Sequence, residues 1–230
     1  MKILQRLSPK HFWTSESGLT SLLIVLNVFL MLNMVGDFRF GFVLTRLFFF
    51  LVLIAGILTT FSMPVIRFLC IFLAMVSLPL SWVADVWPNR SLAALDTGLV
   101  FIYLGILLAV VSVQVFRSGP VTAHRICGAV AVYFLLGVMW ALLYQLLLLL
   151  DPGAFQFPGS IATNQPLVIQ KTFNYFSFIT LTTLGYGDIT PVHPAAKLLV
   201  MYEALIGQLY PAIILARLVS QQLVQPKEGA

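Results

Sequence analysis

The run Thr182-Thr183-Leu184-Gly185-Tyr186-Gly187-Asp188, with Pro191 close behind, interrupts an otherwise greasy chain. Hydroxyl residues precede two glycines that alternate with bulky residues, and a carboxylate closes the run. Glycine adopts backbone angles that other residues cannot. A strand alternating glycine with other residues can turn successive carbonyls to one side. A row of carbonyl oxygens facing one way can replace the water around a bare cation. The chemistry implied by the run is the dehydration of an ion.

Around this run the composition is that of a membrane protein. Of 230 residues, 60% are hydrophobic and 9% are charged, whereas a soluble domain carries about 25% charged residues. A bilayer core about 30 Å thick takes about 20 apolar residues per helix. Six stretches qualify: Leu19–Val35, Phe42–Phe61, Val65–Val83, Thr97–Phe116, Ile126–Leu150 and Ala195–Leu223. A seventh, Leu167–Thr183, contains Lys171, Asn174 and several hydroxyls. It is too short and too polar to cross.

The net charge of +5 is dispersed rather than clustered, so nucleic acid is not an expected partner. The basic residues instead report orientation. Lys2, Arg6 and Lys10 precede the first span, which predicts a cytoplasmic N-terminus. Threading six spans places Arg67, Arg117, Arg125, Arg217 and Lys227 inside. Arg39, Arg90, Lys171 and Lys197 fall outside with Asp37, Asp85, Asp96, Asp151 and Asp188. The inside total of Lys and Arg is the larger, and the glycine-punctuated run lies at the extracellular side. Met34-Val35-Gly36-Asp37 is a poor cleavage site, so the first helix is expected to be retained. Cys70 and Cys127 have neither metal nor redox spacing and are read as small buried residues.

Two regions are expected. Residues 1–118 hold four spans joined by short loops, and residues 119–230 hold two spans around the polar run. Arg117-Ser118-Gly119-Pro120 is the joint, since Pro and Gly mark breaks. Seven residues follow Leu223, too few for a cytosolic ligand-binding domain. A voltage-sensing helix needs repeated arginines, because moving one charge through 100 mV is worth about 2.3 kcal/mol. Thr97–Phe116 contains neither Lys nor Arg, so the first four helices are not expected to sense voltage. Arg46, in the second span, is read as a snorkelling or Asp-paired residue.

Thr182-Thr183-Leu184-Gly185-Tyr186-Gly187-Asp188 resembles the selectivity filter of potassium channels. The likeness covers about residues 121–223: an outer helix, a short re-entrant helix, the filter and an inner helix. The resemblance, rather than any count of residues, supplies the coordination mechanism. It implies that the carbonyls of Thr183, Leu184, Gly185 and Tyr186, with the Thr183 hydroxyl, hold K+. Gly185 and Gly187 would permit the backbone, and the Tyr186 ring would brace the filter from outside. Irregular backbone at membrane depth is tolerated only where it lines a cavity or is buried in protein. One strand cannot surround an ion, so a homotetramer is expected. Leu184 departs from the usual Val or Ile. Tyr175 and Phe176 stand where many relatives have Trp, and the Tyr175 hydroxyl is expected to hold Asp188. The re-entrant helix, about Val168–Thr182, would aim its negative C-terminal end at the cavity. Thr180 and Thr182 are expected to satisfy filter amides.

In the last helix Gly207 matches the family's hinge position; close packing is the competing explanation. Pro211 removes one backbone bond and favours a kink. At 100° per residue, Gln208, Pro211, Leu215 and Val219 share a face, expected to line the cavity and the gate. Glu203 is the one acid deep in a span, where a charge costs about 3 kcal/mol. It is expected either to brace the re-entrant helix or to sense protons. Arg117, His124 and Arg125 anchor the topology or bind anionic lipid headgroups.

Gly185-Tyr186-Gly187-Asp188 also fits the G-x-G-D pattern of intramembrane aspartyl proteases, with Asp96-Thr97-Gly98 as a D-T-G. Both aspartates would then need to lie near mid-membrane, and both fall at the predicted outer rim. A non-conducting scaffold is the third alternative. The expectation is an all-α membrane protein with six transmembrane helices, a re-entrant pore helix and a filter loop in a homotetrameric pore. It conducts K+ passively, is no enzyme, uses no organic cofactor and has membrane lipids as partners. Both termini are cytoplasmic, in a bacterial inner membrane.

Overall fold

The computed structural model describes residues 17–35, 64–87, 89–116, 122–159 and 165–224. The expected span Phe42–Phe61, with Arg46, lies outside the described residues, as do Lys2, Arg6, Lys10, Arg117 and Lys227. The described elements are α1 (Ser17–Val35), α2 (Pro64–Val86), α3 (Arg90–Phe116), α4 (Ala123–Leu150), β1 (Phe155–Gln156), α5 (Pro166–Leu181), β2 (Thr190–Pro191) and α6 (Pro194–Val224). Among the described residues, three helical stretches are long and apolar enough to cross a membrane: Arg90–Phe116, Ala123–Leu150 and Pro194–Arg217. A shorter apolar stretch, Phe68–Val83, lies in α2.

α3 begins seven residues before the apolar boundary at Thr97, and its cap explains why. The Asn89 side chain accepts a hydrogen bond from Ser91 N at 3.0 Å, and Ala93 N donates to Asn89 O at 3.0 Å. An Asn cap supplies an acceptor for an otherwise orphan N–H of the first turn. The helix therefore starts in polar sequence, and Asp96 lies inside it.

α4 is the hub. It packs against α1, α3, α5 and α6, while α2 lies on α3. In lipid, helices associate by close van der Waals packing, and small residues permit it. Gly128, Ala129, Ala131, Gly137 and Ala141 of α4 are all buried. A Cβ on Gly137 would stand 2.7 Å from the Phe178 ring, so α5 approaches α4 there closely. Leu22 and Leu26 of α1, Leu104, Leu107 and Val111 of α3, and Val132 and Leu135 of α4 form one continuous apolar core. Their i, i+3 and i, i+4 spacings put each set on one helix face. The core thus runs across the expected joint near residue 118.

A second cluster holds α5 in place. Tyr144 of α4 meets Phe173 and Phe176 of α5, and Phe155 of β1 packs on all three. β1 pairs antiparallel with β2, Phe155 opposite Pro191 and Gln156 opposite Thr190. Because β1 follows α4 and β2 precedes α6, the segment between them leaves and returns to the same place. α5 has 16 residues, about 24 Å of helix, less than a bilayer core.

Candidate functional site

The C-terminal end of α5 sets the site. Pro166 opens the helix, where its missing N–H costs nothing. A helix leaves its last four carbonyls without intrahelical partners, and here each near the end finds a donor. Phe178 O accepts from Thr182 N at 3.1 Å and from the Thr182 hydroxyl at 2.7 Å. Ile179 O accepts from Leu184 N at 2.8 Å and Gly185 N at 3.1 Å. Thr180 O accepts from Thr183 N at 2.8 Å. Leu181 O accepts from the Tyr133 hydroxyl of α4 at 3.0 Å.

These bonds orient the loop. In a trans peptide the N–H and C=O of one unit point in opposite directions. The amides of Thr183, Leu184 and Gly185 point back at α5, so the carbonyls of Thr182, Thr183 and Leu184 point away from it. The left-handed residues fall at every second position: Thr183 with φ 60°, Gly185 with φ 53° and Gly187 with φ 76°. A β-branched residue at positive φ is an outlier, costing about 1–2 kcal/mol. Strain of this kind concentrates at functional sites. Within the protomer, Cβ atoms on Gly185 or Gly187 would meet nothing within 4 Å, so there these glycines serve conformation and not space. Residues 182–188 are all exposed on the protomer, with Leu184 at 56% and Tyr186 at 66%.

The loop is fastened beyond the glycines. Asp188 Oδ1 accepts from Ile189 N at 3.0 Å. The Tyr175 hydroxyl lies near the Asp188 carboxylate, and partial desolvation, then that carboxylate, hold the phenol above its ordinary value of 10.0. Val192 N and His193 N both donate to Ala154 O, at 2.9 and 3.3 Å. His193 Nε2 stands 4.0 Å from Asp151 Oδ2.

Glu203 is fully buried and joins three helices. Its Oε2 accepts from the Tyr144 hydroxyl of α4. Its Oε1 stands 2.5 Å from Ser177 Oγ of α5, which is itself 2.7 Å from Gly137 O of α4. One turn along, a Cβ on Gly207 would stand 1.9 Å from Leu181 O. Gly207 is therefore needed for the approach of α6 to the end of α5, whether or not the helix bends there. Pro211 lies inside a continuous α6.

Gln208, Pro211, Leu215 and Val219 are all exposed; Pro211 lies one turn from buried Gly207, so this face adjoins the packed side of α6. The structure brings Tyr175 to Asp188, and Glu203 and Gly207 to α5. His124 Nδ1 lies 2.9 Å from Thr20 Oγ1 of α1. Cys70 is buried and Cys127 partly so. Tyr133, Gly137, Tyr144 and Ser177 escaped the sequence reading. The available signal was that polar groups in apolar helices need internal partners: one acid, two phenols and a serine in neighbouring spans are candidates for one another.

Residues 171–222 match the family model described as "Ion channel". That stretch holds most of α5, the whole loop and nearly all of α6. The chain is 26% identical over 118 residues to Protein LctB of Bacillus caldotenax, covering 51% of this chain and 87% of that protein. It is 51% identical over 49 residues to the two pore potassium channel c of Oryza sativa subsp. japonica, covering 21% of this chain and 11% of that one. A second Protein LctB, from Geobacillus stearothermophilus, is 39% identical over 62 residues, 27% of this chain and 45% of that protein. The chain thus spans less than half the length of two of these relatives. No solved structure gives a significant match. The ion-channel likeness points to a membrane channel protein that is not an enzyme.

Proposed function

We propose that four copies of this chain form a potassium-selective pore that passes K+ down its electrochemical gradient. The observation that carries this reading is the loop backbone. Left-handed residues at 183, 185 and 187, with the amides of 183–185 tied to α5, turn carbonyls to the side away from the helix. The carbonyls of Thr183 and Leu184, so turned, and those of Gly185 and Tyr186 beyond them replace the hydration shell of K+. Fourfold closure is needed because one loop offers one oxygen per level. The exposure of the whole loop on the protomer fits a surface completed by other copies.

In this reading α4 is the outer helix, α5 the re-entrant pore helix and α6 the inner helix. Glu203 and Gly207 fix α5 against α6, and Tyr175 holds Asp188 at the filter mouth. Gln208, Pro211, Leu215 and Val219 line the cavity and the cytoplasmic gate, with Pro211 as the flexible point. Both termini are cytoplasmic, in the inner membrane of a bacterium. α3 lacks gating arginines, so opening is not steeply voltage-dependent.

Recording purified protein in a lipid bilayer, in asymmetric K+ and Na+ and across voltages, tests the proposal. Currents are expected to reverse near the K+ equilibrium potential, with shallow voltage dependence. Equal permeation by Na+ would overturn the selectivity, and absence of flux would favour the non-conducting scaffold.

A further inference from the structure

We propose that Tyr133 is a positioning residue for the ion sites, acting through the carbonyl of Leu181; this rests on the potassium-pore reading above. Tyr133 is in α4, well away in sequence from the loop. Its hydroxyl is 3.0 Å from Leu181 O, and Leu181 is fully buried. That carbonyl is hemmed in on the other side by Gly207, where even a Cβ would collide at 1.9 Å. Neither water nor a neighbouring side chain has room to replace the tyrosine from that direction.

The other carbonyls at the end of α5 explain why this bond matters to the ion sites. Ile179 O and Thr180 O hold the amides of Thr183, Leu184 and Gly185. Those amides follow Leu181 closely in the chain and are alternative donors for its carbonyl. While the Tyr133 hydroxyl occupies Leu181 O, each loop amide keeps its own acceptor, and the loop carbonyls stay turned away from α5. Without the hydroxyl, a buried carbonyl is left unsatisfied, which is costly. The nearest relief is for a loop peptide to rotate toward Leu181. Rotation swings the carbonyl of the same peptide unit out of the ion row.

The ring of Tyr133 is itself positioned. It stacks on Tyr210 of α6, ring centroids 5.9 Å apart and planes 27° apart. The Tyr210 hydroxyl donates to Ala129 O of α4 at 2.8 Å. The pair therefore offers two hydroxyls on stacked rings, only one of which reaches α5. Removing each in turn separates positioning of the loop from general packing of α4 on α6.

The experiment is thermal unfolding of the full-length purified protein as K+ replaces N-methylglucamine at constant ionic strength. A ligand at concentration L that binds only the folded state stabilises it by RT ln(1 + L/Kd), so fitting the titration gives the apparent Kd, the K+ concentration at the midpoint of binding. Tyr133→Phe keeps the ring and loses the donor; its midpoint should rise roughly tenfold, the scale of one buried hydrogen-bonding group. Tyr210→Phe makes the same chemical deletion and should leave the midpoint near that of the unaltered protein. 3-Fluorotyrosine at position 133 keeps the hydroxyl, makes it a stronger donor and should lower the midpoint; this arm serves even if Tyr133→Phe does not assemble.

A midpoint unmoved by Tyr133→Phe or by the fluorotyrosine overturns the assignment. So does an equal rise in Tyr133→Phe and Tyr210→Phe, which marks a shared packing role. A uniform loss of thermal stability at every K+ concentration, with the midpoint unchanged, has the same force. Absence of any K+ dependence in the unaltered protein would instead remove the ion-site reading itself, and this inference with it.

Discussion

Glu203→Gln should be better tolerated than Glu203→Ala, although it removes the one acid deep in α6, and the reason is a count of protons. Ser177 Oγ lies 2.7 Å from Gly137 O and 2.5 Å from Glu203 Oε1. A serine hydroxyl has one proton to give. Were Glu203 ionised, Ser177 would have to choose, leaving two acceptor oxygens facing each other at one contact. A protonated Oε1 resolves the conflict: it donates to Ser177, Ser177 donates to Gly137 O, and Oε2 accepts from Tyr144. A glutamine keeps both contacts, one amide N–H in place of the acid O–H and its carbonyl in place of Oε2, but its second N–H has no partner. The expected cost of Glu203→Gln is about 1–3 kcal/mol per subunit, that of one unsatisfied buried donor. Glu203→Ala should be far worse. It orphans the buried Tyr144 hydroxyl, at about 1–3 kcal/mol, and opens a cavity worth about 2–4 kcal/mol more. Thermal unfolding ranks the variants, and infrared spectroscopy at neutral pH reads the protonation. The protonated-carboxyl band should disappear in Glu203→Gln. If only carboxylate bands change, or if Gln destabilises as much as Ala, the proton count is wrong.

Three further outcomes follow from individual residues. Gly207→Ala drives a Cβ into backbone at 1.9 Å, so it should cost about 3 kcal/mol or more and abolish assembly in cross-linking assays. Gly185→Ala meets nothing within 4 Å in its own protomer but must hold φ near 53°; it should assemble normally, while its K+ flux falls about tenfold or more from a conformational cost of about 1–2 kcal/mol. Tyr175→Phe removes the hydroxyl near Asp188 and should speed the loss of current during sustained recording. Because the phenol is held above its ordinary value of 10.0, Tyr175 stays protonated at every working pH. Its contact with Asp188 contributes fully below that value and is lost only as pH rises above it, so the difference between Tyr175 and Phe should be flat from about pH 6 to 9.

Much of the site was legible in the chain because its signals are local. Alternating glycines state a backbone requirement, and Gly185 and Gly187 do adopt positive φ. The short helix expected at Val168–Thr182 is found at Pro166–Leu181, since a proline start and a polar stop are written in neighbouring residues. Gln208, Pro211, Leu215 and Val219 are exposed, but so are Leu209, Ala212, Ile213 and Ala216 around the same helix, so exposure on the protomer does not single out that face. The span boundary at Thr97 was placed seven residues late because hydropathy finds where lipid begins, whereas a helix begins at its cap, Asn89.

Composition and periodicity by themselves determined the membrane environment, the apolar helices and the loop's need for left-handed backbone, because each depends on near neighbours or on averages over a span. Only the tertiary structure decided what holds the loop in shape. Tyr133 meets Leu181 across 48 positions, Tyr144 meets Glu203 across 59, and Gly207 serves a contact no local pattern encodes. Such partners are chosen by how helices cross in three dimensions, where a buried polar group of one helix meets a donor or acceptor that lies far away along the chain.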